Sequence, residues 1–137
     1  MVIVARDKDG NYVCVRQYRH GIKKVTCEFP AGKIEGSGTS VGGESPLDAA
    51  KRELAEETGY TSDKWRFLLA EPADATLSDN FAYFFAADDC EKTVKRHLDD
   101  TEFLDVKVLS EEELKKLIRD GNFEQGMHIA AYFLAKE

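Results

Sequence analysis

The sequence predicts an α/β domain in which a mixed sheet lies between helices, an α/β/α sandwich. β-rich runs and amphipathic helical stretches interleave along the chain, which favours a layered α/β architecture. The first two runs are joined by a tight turn, so at least one strand pair is antiparallel and the sheet is mixed. With 137 residues the chain is read as one domain, 1–137, long enough for a core without covalent staples.

Val2 to Ala5 and Tyr12 to Tyr18 flank Asp7-Lys8-Asp9-Gly10, a hairpin with its turn at Asp9-Gly10. The second run alternates Val13 and Val15 with Tyr12, Cys14 and Arg16, so it should be half buried. Val25 to Phe29 reads as a short strand ended by Pro30-Ala31-Gly32, and the glycine-rich stretch Gly36 to Gly43 as a loop. A helix should open at Pro46, with Ser45 as N-cap and Asp48 completing a capping box, and stop at Gly59. Its core stripe is Leu47, Ala50, Leu54 and Thr58, beside a face left free for ligand. Trp65 to Leu69 and Phe81 to Ala87 are strands, the second apolar enough to be central. Asp88 to Asp100 is charged and ambiguous. Glu102 to Leu109 is a last strand, and Ser110 to Glu113 is a capping box for a helix ending near Asp120 and Gly121. Met127 to Ala135 closes the chain as an amphipathic helix.

A net charge of −7 with dispersed lysines and arginines argues against nucleic acid as a partner. No apolar run approaches the length of a membrane span, and the opening residues are too short for a signal h-region. Cys14, Cys27 and Cys90 have neither zinc spacing nor an even count, so they read as buried apolar side chains in a reducing, cytoplasmic protein. His20, His97 and His128 lack metal-ligand spacing and read as structural or solvated.

The helix that starts at Pro46 carries Glu53, Glu56 and Glu57 on one compact face. Glu56 and Glu57 fall in its last turn, where the macrodipole disfavours anions by roughly 0.3–1 kcal/mol each, and Glu53 and Glu57 repel at i, i+4. A hard divalent cation would offset this, because Mg²⁺ takes one or two carboxylates together with water and phosphate oxygens. Arg52, four residues before Glu56, can pair with it and hold its rotamer. Taken alone, such a face reads first as a solvated acidic patch.

The surroundings carry a resemblance. Gly38, five residues, Glu44, seven residues, Arg52-Glu53-Leu54, one residue, Glu56-Glu57, one residue, Gly59-Tyr60 resembles the complete Nudix box. In that family the box glycine closes a Pro-Ala-Gly turn, and Pro30-Ala31-Gly32 has this context six residues before Gly38. Spacing names Gly38 and context names Gly32. We favour Gly32, with Gly36 to Val41 as an insertion, because the turn must bring a backbone carbonyl to the metal.

Arg16-Gln17-Tyr18-Arg19, Glu28 to Gly32, Leu77-Ser78-Asp79 and Gly121 to Ala135 are similar to the ADP-ribose and nucleoside-diphosphate-sugar pyrophosphatase branch. That branch commonly has a strand-rich N-terminal extension and a proline some sixteen residues past the box; this chain opens on the core sheet and has no proline near Ala75 or Thr76.

The resemblance implies Mg²⁺-dependent hydrolysis of a nucleoside diphosphate derivative, with Mn²⁺ as a substitute ion. Glu53 and Glu57 are the expected main metal ligands, with Glu56 and the Ala31 carbonyl completing the sites, Arg52 orienting Glu56, and Glu44 assisting. Arg19 and Tyr18 are the expected substrate contacts, and Asp100 and Glu102 the candidates for general base. A nucleoside triphosphate pyrophosphohydrolase and a non-catalytic nucleotide sensor remain open, as does the choice between monomer and homodimer.

Overall fold

A computed structural model describes residues 1–36, 43–100 and 103–137. Gly38 and Glu102 therefore lie outside the described residues, as do most of the proposed insertion and the start of the expected last strand. The elements run β1 (Val2–Asp7), β2 (Tyr12–Arg19), β3 (Lys24–Glu28), α1 (Pro46–Thr58), β4 (Tyr60–Thr61), β5 (Lys64–Pro72), β6 (Phe81–Lys92), β7 (Asp105–Leu109), α2 (Glu111–Arg119) and α3 (Gly126–Ala135).

The sheet is mixed. β1 pairs antiparallel with β2 through Ala5↔Val13 and Arg6↔Tyr12, and parallel with β6 from Val2↔Phe84 onward. β2 also takes β3 and β7, both antiparallel, and β6 takes β4 and β5. Period-2 alternation then sorts the side chains into two cores. Val2, Val4, Tyr12, Cys14 and Phe84 face Leu114 of α2 and Ala131 and Tyr132 of α3. Ile3, Ala5, Val13, Phe85 and Ala87 face Ala50 and Leu54 of α1. The result is the expected three-layer sandwich. Full burial of Leu54 alone contributes roughly 1.5–3 kcal/mol.

Several expectations are corrected by this layering. Tyr12 to Val15 is buried at every position, not at alternate ones, because helices cover both faces there. β6 continues through the ambiguous acidic stretch to Lys92, where its polar end pairs with β4, a two-residue strand with no periodic signal of its own. The α1 cap is one-sided: Ser45 Oγ accepts from the Asp48 backbone N–H at 3.1 Å, but the Asp48 carboxylate takes the Ser45 hydroxyl. Aspartate is one methylene shorter than the glutamate of the full motif, which α2 does form between Ser110 and Glu113. Gly59 closes α1 in the left-handed region at φ 78°, donating to Ala55 O.

Candidate active site

The last two turns of α1 are pressed against the turn that follows β3. Ala31 bridges to Val2, and Ile3 N–H donates to Pro30 O at 3.0 Å, so this turn is tied to β1. Glu57 is only 4% exposed, and its Oε2 accepts the Ala31 N–H at 3.2 Å. Glu53 lies over Gly32 so closely that a Cβ there would stand 2.1 Å from its Cδ. At Gly32 the approach of Glu53 thus leaves no room for a side chain. The expectation of a free acidic face is corrected as well: Glu57 belongs to the buried side of α1, held there by a backbone donor.

Arg52 organises the remaining carboxylates. Its Nε and Nη2 form a fork on Glu44, at 2.9 and 3.1 Å. Its Nη1 reaches Glu53 at 3.0 Å and Glu56 at 2.9 Å, and Nη2 also donates to Lys33 O. One planar cation therefore joins α1, Glu44 two residues before it and Lys33 O of the turn, a task for which a lysine lacks the donors. The Arg52 bonds hold the Glu44 carboxyl below the usual range, and these carboxylates, Glu44 foremost, keep the guanidinium charged. Glu44 closes a second connection: its N–H donates to Glu35 O, and its Oε2 accepts the Glu35 N–H, both at 3.2 Å.

The C-terminal carbonyls of α1 find partners that the local sequence does not announce. Arg96 Nε donates to Glu57 O at 2.7 Å and its Nη2 to Leu104 O at 2.6 Å, while His97 N–H donates to Glu56 O. With no basic residue in its own last turn, α1 takes its cation from the segment after β6. Asp100 is exposed in that same segment.

Beside the turn opens a cleft of about 1020 Å³, within the upper range for small-molecule sites. Its lining includes Ala31 and Gly32 of the turn, Arg19, Gln125 and His128, and Asp79, Asn80, Phe81 and Tyr83. Arg19 is held by Glu28, a carboxylate with 0% exposure, through Nε at 2.8 Å and Nη2 at 2.6 Å. Burial pushes the Glu28 carboxyl up, but the bonds from Arg19 and Thr26 bring it net below its ordinary value. Glu28, and more weakly Glu57, hold Arg19 charged. Arg19 Nη1 donates to no described residue. Tyr18, one position along the strand, points to the other face; it is 49% exposed, packs on His20 and does not border the cleft. Phe29 is fully buried among aromatic rings.

Among the described residues no three acidic, histidine or cysteine side chains are placed to hold a metal ion together. Carboxylate oxygens beside a backbone turn are nevertheless the donor chemistry that a hard divalent cation takes, together with water and phosphate oxygens.

Comparison with known proteins gives the family and the fold. The family model described as NUDIX domain matches residues 1–129. The chain is 33% identical over 119 residues to the ADP-ribose pyrophosphatase of Bacillus subtilis (strain 168), covering 86% of this chain and 61% of that protein. It is 31% identical over 121 residues to the methanol dehydrogenase activator of Bacillus methanolicus, covering 88% and 62%. The chain thus spans about three fifths of the length of these curated relatives. A crystal structure of an ADP compounds hydrolase superposes with a TM-score of 0.82 at 24% identity, over 98% of this chain and 69% of that one, which shows the fold.

Proposed function

Because the chain belongs to the Nudix family, we propose that it is a divalent-metal-dependent pyrophosphohydrolase of nucleoside diphosphate derivatives, ADP-ribose or a nucleotide sugar foremost, acting as a single domain in the cytoplasm. The observation that carries this reading is the joining of two features at the 31–32 turn: the α1 carboxylates on one side and an Arg19-walled cleft on the other. The α1 carboxylates do not themselves line the cleft, but Glu57 and Glu53 touch Ala31 and Gly32, which do, so a diphosphate that reaches past the turn would meet both Arg19 and the carboxylates.

Family members generally use divalent metal ions; Glu53, Glu56 and Glu57 would hold them here, with Mg²⁺ our first choice and Mn²⁺ a substitute. Bound at this site, such an ion neutralises diphosphate charge and acidifies a coordinated water. The chain's own groups position. Arg19, its guanidinium plane set by the buried Glu28, offers its remaining donors to a diphosphate oxygen. Arg52 keeps Glu44, Glu53 and Glu56 from splaying apart. Phe81 and Tyr83 supply aromatic surface, and Asp79 and Asn80 polar groups, for the nucleoside end. The similarity to a protein named ADP-ribose pyrophosphatase supports this substrate class. Free thiols at Cys14, Cys27 and Cys90 suit a reducing compartment.

The test is AMP release from ADP-ribose, beside nucleotide sugars, dinucleotides and nucleoside triphosphates, at millimolar Mg²⁺ or Mn²⁺ and with EDTA. Metal-dependent AMP release that Glu57→Gln lowers by at least about 100-fold in a folded protein supports the reading. Turnover of triphosphates alone moves the substrate class. Tight nucleotide binding without any turnover makes the protein a sensor and overturns it.

A further inference from the structure

His128 stands in the first turn of α3, 3% exposed, and borders the cleft. The Phe29 backbone N–H donates to its Nδ1 at 3.1 Å, so the neutral ring carries its proton on Nε2. The ring is held parallel to Phe29, 8° between planes at 6.3 Å, and edge-on to Phe123 at 6.4 Å. It has little freedom to seek a partner.

That Nε2–H donates to no described residue. The natural acceptor nearby is Glu28, which acts electrostatically on the ring. Glu28 already accepts four hydrogen bonds, two from Arg19, one from Thr26 Oγ1 and one from Gln125 Nε2, three of them at Oε1, and none of them comes from His128. The described side-chain oxygens and nitrogens that are both sealed from solvent and without a hydrogen bond are those of Glu124. His128 Nε2 is not among these sealed atoms, and the open space that its residue borders is the cleft. Buried donors in folded proteins are nearly always satisfied. A rigid, unpaired donor on a cleft wall is a binding group.

We propose that His128 Nε2–H is a ligand-directed hydrogen-bond donor, reserved for an oxygen acceptor of the nucleoside diphosphate derivative bound in the cleft. The assignment rests on the function proposed above. Beside the Arg19 fork it adds a neutral donor, so the wall selects for an oxygen at a fixed place and not for charge alone. A ligand lacking that oxygen leaves the donor buried and unmatched, which is how a polar site rejects a close analogue.

His128→Asn tests this, because its side-chain oxygen keeps an acceptor for the Phe29 N–H while the Nε2 donor is lost; His128→Gln reaches as far as Nε2 and restores a donor. We expect His128→Asn to raise KM for ADP-ribose about tenfold with kcat within about threefold, and His128→Gln to recover part of the loss. In the wild type, ¹H–¹⁵N spectra should show the Nε2–H tautomer, and ADP-ribose added in EDTA should shift that resonance without turnover. A folded His128→Asn with unchanged KM, together with an Nε2 resonance that ligand leaves in place, overturns the assignment; wild-type hydrolysis in the same assay keeps the function. If His128→Asn does not fold, the wild-type resonance decides: a shift supports the assignment, no shift overturns it. A wild type that neither binds nor hydrolyses any of the panel overturns both.

Discussion

The carboxylate of Glu53 occupies the space in which a side chain at position 32 would lie: a Cβ on Gly32 would stand 2.2 Å from Glu53 Oε1. The obstructing atoms are the far end of a flexible side chain, so Gly32→Ala should fold and keep its thermal midpoint within a few degrees. Glu53 must then move. Misplacement by about 1 Å at a reacting centre can cost about 100-fold in rate, and we expect a loss of that order in metal-dependent turnover. A thermal melt beside the AMP assay checks both halves; an active Gly32→Ala would remove Glu53 from the role proposed for it.

Arg52→Lys keeps the charge and discards the fork. Glu44, Glu53, Glu56 and Lys33 O lose a shared partner, so the 33–44 connection and α1 should loosen together. A double-mutant cycle with Glu44→Gln, followed by urea denaturation, should give a coupling energy of about 0.5–3 kcal/mol. Additive effects would show that the Arg52–Glu44 contact does not act as a unit.

Arg96→Ala removes the cation at the C-terminus of α1. With Glu57 O and Leu104 O both losing a charged donor, we expect a loss of about 1–3 kcal/mol in the urea midpoint series. Removing the neighbouring anion in Glu56→Gln should restore part of it. Addition of millimolar divalent cation should stabilise the Arg96→Ala protein and the wild type alike, since the carboxylates remain in both.

Acid should destabilise the protein in two stages. Burial depresses the His128 pKa to about 4, against an unfolded value near 6.5. Between these values the unfolded chain binds more protons, so stability present at neutral pH falls as pH drops through this window, by up to about 2–3 kcal/mol. Glu28 acts in the same direction at lower pH: its folded pKa is depressed, so its contribution is held above the unfolded carboxyl value and lost as pH falls through the folded one. Urea midpoints at about pH 7, 5.5 and 4.5 should decline accordingly, and His128→Asn should flatten the first interval.

Much of this site can be read from residue order where its cause is local. Ser45, Pro46 and Gly59 bound α1 because capping depends on neighbours along the chain, and the carboxylates at 53, 56 and 57 share a face because helical geometry puts them there. What depends on distant contacts is not readable in that way. Spacing along the chain favours Gly38, yet Gly32 is the glycine pressed against Glu53, because an inserted stretch changes a count and not a contact. Arg96 caps α1 from beyond β6, and no pattern near the helix points to it. His128 reads as structural until Glu28, a hundred positions earlier, is found engaged by Arg19, Thr26 and Gln125 and not by the imidazole. Tyr18 and Arg19 look equivalent in sequence, but strand alternation sends one to the cleft and the other away from it.

The parallel pairing of β1 with β6 has a consequence for how the chain folds. Val2 meets Phe84, and Ala5 meets Ala87, across most of the chain's length, while β1, β2 and β3 are near neighbours in sequence. The antiparallel ribbon of the first three strands can form early at small loop-closure cost, but the apolar far edge of β1 then waits for β6. During synthesis that edge has no partner until residue 87 and those before it have left the ribosome. Folding speed and recovery from denaturant should therefore depend on the docking of β6 against β1, and substitutions that slow it should leave that edge open to aggregation for longer.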